Sequence, residues 1–170
     1  ATLGLPNTYF NLVRPGVALY GVTPGESVGT SQSLGLTPVM TLKSNIALLK
    51  NVPAGTGVSY AHAYHTTADT QLALIPLGYS DGIPRHASNK GPVLIGGEVR
   101  QVAGRVCMDQ FVIDAGGLDV KVGDEVVLFG DPAQGHPSVE AWAKAADTIG
   151  YEIITRLAPR VHREYINVPY

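Results

Sequence analysis

The sequence predicts a mainly β fold: a closed β-barrel-like domain with one or two short helices. Three observations lead there. Short apolar stretches alternate with polar positions at the period of a strand. Gly (20) and Pro (12) are spread evenly along the chain, as turn punctuation between short strands. Only one stretch carries a clear helical period. Many short strands with regular turns favour a closed barrel or a sandwich.

The elements follow in order. Residues 1–21 read as one strand leaving a different domain, the end of an N-terminal unit, and residues 22–170 as the β domain proper. The opening Ala1-Thr2-Leu3 starts in mid-pattern, as a fragment or processed product would. Met40 to Val52 reads as one long strand, with Met40, Leu42, Ile46 and Leu48 on one face. Pro53-Ala54-Gly55 ends it as a turn. Thr70 to Leu77 is a buried strand, and Gly78 to Gly82 a turn. Pro92 to Ile95, Gly96-Gly97 and Glu98 to Ala103 form a hairpin with a two-glycine turn. Gln110 to Asp114, Asp124 to Phe129 and Val161 to Val168 are further strands. The helix begins at an N-cap, Ser138, with Glu140 in its first turn. Val139, Trp142, Ala146 and Ile149 recur at helical spacing, and Gly150 is a suitable αL stop. Tyr151 to Leu157 reads as a second short helical turn before Pro159.

Composition narrows the function. At 170 residues and 45% hydrophobic content, the chain is one domain long and able to bury a core. A net charge of −2 gives no bulk attraction for nucleic acid or an anionic membrane. Apolar runs such as Ala73 to Leu77 are far too short to span a bilayer. A single cysteine, Cys107, rules out an internal disulfide and suits a reducing, cytoplasmic setting.

Several short motifs carry chemistry. Tyr60 stands among small residues, Gly57, Ser59 and Ala61, which would let a substrate reach its ring. A tyrosine is a poor base at neutral pH, about 0.1% ionised at pH 7, and needs a partner that stabilises phenolate. It equally suits a half-buried strand position. In Arg14-Pro15-Gly16-Val17, the N–H groups of Gly16 and Val17 could cradle an anion, or the run could be an ordinary strand-end turn. Tyr151 could hold a hydroxyl on a phosphate or pack against Trp142 or Ile149. Met108, between Cys107 and Asp109, reads as core filler on its own. Cys107 reads as a small buried hydrophobe. His62, His65 and His86 make no metal-ligand pattern.

Gly57-Val58-Ser59-Tyr60, Arg105-Val106-Cys107-Met108-Asp109 and Arg14-Pro15-Gly16, in this order and spacing, resemble the carboxyl-terminal half of the alanine racemases. The likeness runs over almost all of the chain. It implies a pyridoxal 5'-phosphate (PLP) enzyme interconverting L- and D-alanine by two bases, for peptidoglycan. It implies that Tyr60 is one base, supplied to the partner subunit's active site. Met108 and Asp109 would meet the substrate. Arg14, Gly16, Val17 and Tyr151 would hold the cofactor. Tyr79, Asp81, Arg85 and Arg105 resemble the charged corridor by which substrate enters. A homodimer and an N-terminal TIM-like PLP barrel are implied as partners. No segment resembles the one that carries the Schiff-base lysine, so the chain reads as half an active site, inactive alone. Ala61 stands where that family usually has Gly. Two rivals remain: a non-catalytic β-barrel that pairs or gates a catalytic domain, and the corresponding domain of a PLP amino-acid decarboxylase, which uses an interface Cys.

Overall fold

A computed structural model describes residues 3–25 and 27–166. Among these, nine strands and two α-helices form in an order close to the expected one. The strands are β1 (Leu42–Asn45), β2 (Leu48–Val52), β3 (Gly57–Val58), β4 (Tyr64–His65), β5 (Thr70–Ile75), β6 (Pro92–Ile95), β7 (Glu98–Gln101), β8 (Phe111–Asp114) and β9 (Glu125–Phe129). The helices are α1 (Val139–Ala145) and α2 (Gly150–Thr155). The strands make an antiparallel four-stranded sheet, β1-β9-β6-β7, a three-stranded sheet, β2-β5-β8, and a two-stranded ribbon, β3-β4. Gly96 and Gly97 both take positive φ, 56° and 80°, as a tight hairpin turn between twisted strands requires.

Among the described residues no sheet closes on itself, so they form no closed barrel. The two larger sheets share one core, with Ile75, Phe111 and Ile113 from one and Val93, Ile95, Val126 and Leu128 from the other. They are joined on one side by the continuous chain at Ile46-Ala47. On the other side only a single bridge, Val102 with Ile113, spans the gap. One residue pair is too short a ladder to carry closure.

The Ile46-Ala47 link corrects the long strand. Ile46 N–H donates to Asp124 O and Ala47 N–H to Leu74 O, so the chain leaves one sheet and enters the other there. The buried face changes with it. Leu42 and Ile46 are buried before the corner, and Val52 after it, while Leu48 is exposed. Residues 161–166 form no strand, and Asn167 and Val168 lie outside the described residues.

The N-terminal segment also differs from expectation. Instead of a strand it forms two 3-10 turns, Pro6–Thr8 and Val17–Tyr20. Pro6 and Pro15 have no N–H for a ladder. Val17 and Val22 nevertheless reach into the core, while Phe10 (90%), Leu12 and Leu19 stand exposed.

Helix α1 begins where expected, with the Ser138 hydroxyl accepting Ala141 N–H at 3.0 Å. It stops earlier than the apolar period suggests. Asp147 takes φ 53°, with Thr148 N–H on Ala143 O and Asp147 N–H on Lys144 O. These two bonds are a Schellman cap with Asp147 in the αL place. Gly150 is not a stop but the first residue of α2. A Cβ there would lie 2.7 Å from Val22, which explains the glycine.

Trp142 holds α1 to the four-stranded sheet. It is 1% exposed, and its indole N–H donates to Leu128 O on β9. Its ring lies against Gly91, where any Cβ would come within 2.7 Å. Strand β9 is buried from Val126 to Phe129, because the core covers one face and the helical side the other.

Trp142→Ala should cost about 3–5 kcal/mol of unfolding free energy through lost packing. Trp142→Phe keeps much of the volume and strands the Leu128 carbonyl, so a loss of about 1–3 kcal/mol is expected. Denaturant midpoints measure both. A Phe variant as stable as the parent would show that the hydrogen bond contributes nothing.

Candidate active site

The β3-β4 ribbon carries Tyr60 at its tip. Gly57 pairs with His65 and Val58 with Tyr64, leaving residues 59–63 as the connection. The tip is strained. Ser59 takes φ 62° and ψ −172°, Ala61 φ 57°, and His62 φ 46°. Each such non-glycine conformation costs on the order of 1–3 kcal/mol. The His62 ring occupies the space where a Cβ on Gly57 would stand, 2.5 Å away. Tyr60 is therefore not a half-buried strand tyrosine. It is 71% exposed, on a backbone that is held rather than relaxed.

Beside the tip runs the segment 104–110. Ser59 Oγ donates to Arg105 O at 2.8 Å and lies 3.4 Å from Cys107 Sγ. Cys107 is partly buried against these groups rather than projecting from the surface. Cys107 N–H donates to Gln110 O at 2.9 Å, which closes a four-residue turn. Met108 and Asp109 occupy the outer corner of that turn. Met108 is 58% exposed, so it is not core filler. Among the described residues, no acceptor within the chain takes its N–H.

The Gly78–Gly82 stretch packs on the back of the same turn. A Cβ at Gly78 would lie 2.4 Å from the carbonyl oxygens of Cys107 and Met108. Tyr79 N–H donates to Cys107 O and Ser80 N–H to Met108 O. Residues Tyr79–Asp81 form a 3-10 turn rather than a simple reversal. Tyr79 is exposed, but Asp81 is 3% exposed. Its carboxylate accepts Gly78 N–H at 2.8 Å and is gripped by the Arg160 guanidinium on both oxygens. Asp81 thus braces the 78–82 turn from behind. Arg85 and Arg105 line one open pocket of about 500 Å³ together with Ala63, His86 and Ser88.

The residues read as cofactor-holding are carried elsewhere. Gly16 opens onto free space, and among the described residues its N–H and that of Val17 have no acceptor within the chain. Arg14 is exposed and follows no strand. Tyr151 is 39% exposed in the first turn of α2, one residue after Gly150, whose backbone lies against Val22. The Val17–Val22 stretch and the start of α2 are therefore neighbours. Two free N–H donors, an open glycine and a phenol suit a phosphate, so these residues fit a phosphorylated cofactor. Among the described residues no group of three His, Cys, Asp or Glu stands together as a metal site requires. No helix of the described residues is long and apolar enough to cross a membrane.

A second tyrosine, Tyr64, shares the ribbon and behaves differently. Its hydroxyl donates to Asp114 Oδ2 at 2.8 Å. Burial first, and then that bond, push its pKa up to about 12. Burial alone would raise Asp114. The Thr70 and Tyr64 hydroxyls, the Gly116 N–H and nearby Arg100 outweigh it and hold the carboxyl below its ordinary range. Tyr64 is thus a fixed donor that anchors the ribbon to β8.

Sequence reasoning missed Arg160 and Asn89, and read Ser59 only as a small neighbour of Tyr60 rather than as a tether to Arg105 O. Asn89 Nδ2 donates to Ala63 O at 2.9 Å, a contact 26 residues apart that no local pattern signals.

The chain is a β-rich domain that gathers an exposed tyrosine, a turn corner with a free N–H and two arginines on one side. Comparison with known proteins places it in a family. The family described as "Alanine racemase, C-terminal domain" matches residues 39–165. The alanine racemase of Streptomyces coelicolor is 58% identical over 98% of this chain and 43% of its own length. Its solved structure superposes with a TM-score of 0.96 at 57% identity, covering 99% of this chain and 44% of that one. The alanine racemase of D-cycloserine-producing Streptomyces lavendulae gives a TM-score of 0.92 at 56% identity, covering 95% and 42%. That of Bacillus anthracis with bound L-Ala-P gives 0.85 at 36% identity, covering 95% and 41%. The chain belongs to the alanine racemase family, as its C-terminal domain. It spans less than half the length of these relatives.

Two outcomes follow from the ribbon. Asp114 is held below its ordinary pKa, so the Tyr64–Asp114 bond stabilises above the usual carboxylate range and is lost as pH falls through the lowered value. Tyr64 is held above its ordinary value near 10, so the contribution is full below that and is lost as pH rises toward about 12. Tyr64→Phe should cost about 1 kcal/mol between about pH 5 and 9, with the difference shrinking at either extreme. Unfolding curves across pH check it, and a pH-independent difference would contradict the assignment. Ala61→Gly removes a left-handed Ala at the cost of a looser unfolded chain. A net gain of roughly 0.5–1 kcal/mol is expected by the same measurement.

Proposed function

We propose that this chain is the C-terminal part of an enzyme that interconverts L- and D-alanine with pyridoxal 5'-phosphate, and that Tyr60 is one of its two proton-transfer groups. The observation that carries the reading is the placement of Tyr60. It stands exposed on a strained tip, tied through Ser59 to the segment that ends in the Met108-Asp109 corner. Membership of the family and a likeness that covers 99% of this chain, matched to 44% of a solved racemase, support it.

The cofactor, when bound, draws electrons from the substrate's α-carbon and so acidifies its C–H bond. The chain's own residues then divide the work. The Tyr60 phenolate takes the α-proton on one face, becoming the hydroxyl that returns a proton in the reverse direction, while a base from the N-terminal half serves the other face. The free Met108 N–H and the neighbouring Asp109 orient the substrate carboxylate. Gly16 and Val17 N–H groups and the Tyr151 hydroxyl hold the phosphate. The Arg14 guanidinium would meet the ring nitrogen of that group and, because it does not release a proton, would keep the electron withdrawal modest. Arg85, Arg105 and Tyr79, with Asp81 behind them, guide the substrate by its carboxylate inward. Tyr60, Met108 and Asp109 serve the partner subunit's cofactor in a homodimer, while Arg14, Gly16, Val17 and Tyr151 hold their own. The compartment is the cytoplasm, where a lone Cys107 stays reduced. The chain alone, without the N-terminal half, is inactive.

Tyr60→Phe in the complete two-domain enzyme tests this. Racemisation should fall by roughly 10²–10⁴ in both directions, since each direction uses both groups. Exchange into deuterated water should become asymmetric: D-alanine still loses its α-proton, whereas L-alanine does not. Equal exchange of both enantiomers would show that Tyr60 is not the base on the L face.

A further inference from the structure

We propose that Asn89 is a positioning residue for Tyr60, acting with Ser59 as a two-point clasp on the strained ribbon tip. This rests on the reading of Tyr60 as a proton-transfer group. Residues 59–63 hold three non-glycine residues at positive φ. Within the tip the backbone makes one turn bond, His62 N–H to Ser59 O at 3.2 Å. So strained a segment relaxes unless something outside holds it. Two side-chain bonds do so, one at each end. Ser59 Oγ donates to Arg105 O at 2.8 Å. Asn89 Nδ2 donates to Ala63 O at 2.9 Å.

Asn89 is itself fixed. Its Oδ1 accepts Gly104 N–H at 2.6 Å, and its own N–H donates to Gly104 O at 3.2 Å. Only this orientation of the amide serves both a donor and an acceptor. Its φ of 59° is one that Asn tolerates better than most residues. Gly104, at φ 87°, lies so close that a Cβ would stand 2.8 Å from Val58 O. Both ends of the tip are thereby referenced to two consecutive residues, Gly104 and Arg105. The same strip of backbone continues into the Cys107–Gln110 turn that presents Met108. The spacing between Tyr60 and the substrate-orienting corner is set by one rigid piece, and Asn89 is its far anchor.

The test uses the complete two-domain enzyme loaded with its cofactor. Asn89→Asp keeps the acceptor for Gly104 N–H and the left-handed backbone, but turns a carboxylate oxygen toward Ala63 O. The tip should be released at that end. We expect kcat to fall roughly tenfold to a hundredfold with KM little changed, because a misplaced group loses rate more than binding. α-Proton exchange of L-alanine should fall more than that of D-alanine. Deuterium uptake of the 57–66 peptide should rise, while that of 111–114 stays as in the parent. Ser59→Ala, which opens the other end, should show the same pattern. In the Tyr60→Phe background Asn89→Asp should add no further loss, because it acts through that hydroxyl. Additive losses, equal slowing of both enantiomers, or unchanged uptake would overturn the clasp. Parent-like activity of Tyr60→Phe sinks the base assignment. Parent-like activity of Asn89→Asp beside an impaired Tyr60→Phe sinks the clasp alone.

Discussion

The close approach of Gly78 to the Cys107–Asp109 backbone is the constraint on which the site's geometry depends. No side chain fits between the two segments, and two N–H groups of the 78–82 turn end on carbonyls of the 107–110 turn. The contact is backbone to backbone, so it fixes both loops without relying on flexible side chains. Asp81 then locks the arrangement. Its buried carboxylate accepts Gly78 N–H and is covered by Arg160, and its carbonyl accepts Ala158 N–H. The stretch that follows α2 is thereby stapled to the loop pair. A buried carboxylate without Arg160 would be an unpaired charge in a poor solvent, so the two residues are best regarded as one unit.

Against this rigid base the ribbon tip is a region of stored strain. Ser59, Ala61 and His62 occupy backbone regions that favour glycine, while Val58 and Tyr64 pair as ordinary strand residues. Tyr64 ties the ribbon to β8, and Ser59 ties it to the 104–110 segment. The strain is offset by bonds at its margins. That division, regular pairing below and costly geometry at the tip, is common where a reactive group must be presented to a space that the fold does not otherwise fill.

Much of the fold was legible in the sequence because strand period and turn residues act locally. The β6–β7 hairpin with its two glycines, the Ser138 cap and the β9 strand follow from nearest neighbours alone. What the sequence hid were effects of partners far along the chain. The Met40–Val52 alternation is real, but the corner at Ile46-Ala47 is imposed by Asp124 and Leu74. Gly150 reads as a stop because glycine often ends helices; here it is needed for Val22, and Asp147 takes the αL place. Closure of the barrel was expected from strand number, yet the last edge offers only the Val102–Ile113 bridge. For the site, the motifs singled out Tyr60, Met108 and Arg105, and the fold brings the segments that carry them side by side. They gave no sign of Asn89 or Arg160, whose partners lie 26 and 79 residues away. Asp81, read as part of a corridor wall, proved to be buried support.

The exposed apolar side chains of the N-terminal segment have a colloidal consequence. Phe10, Leu12 and Leu19 face solvent in a chain whose net charge is only −2. With so little electrostatic repulsion, nothing long-ranged keeps two such surfaces apart in solution. This piece studied by itself will tend to stick to its own copies through that segment. Self-association of the isolated chain would then report bare apolar surface rather than a specific interface.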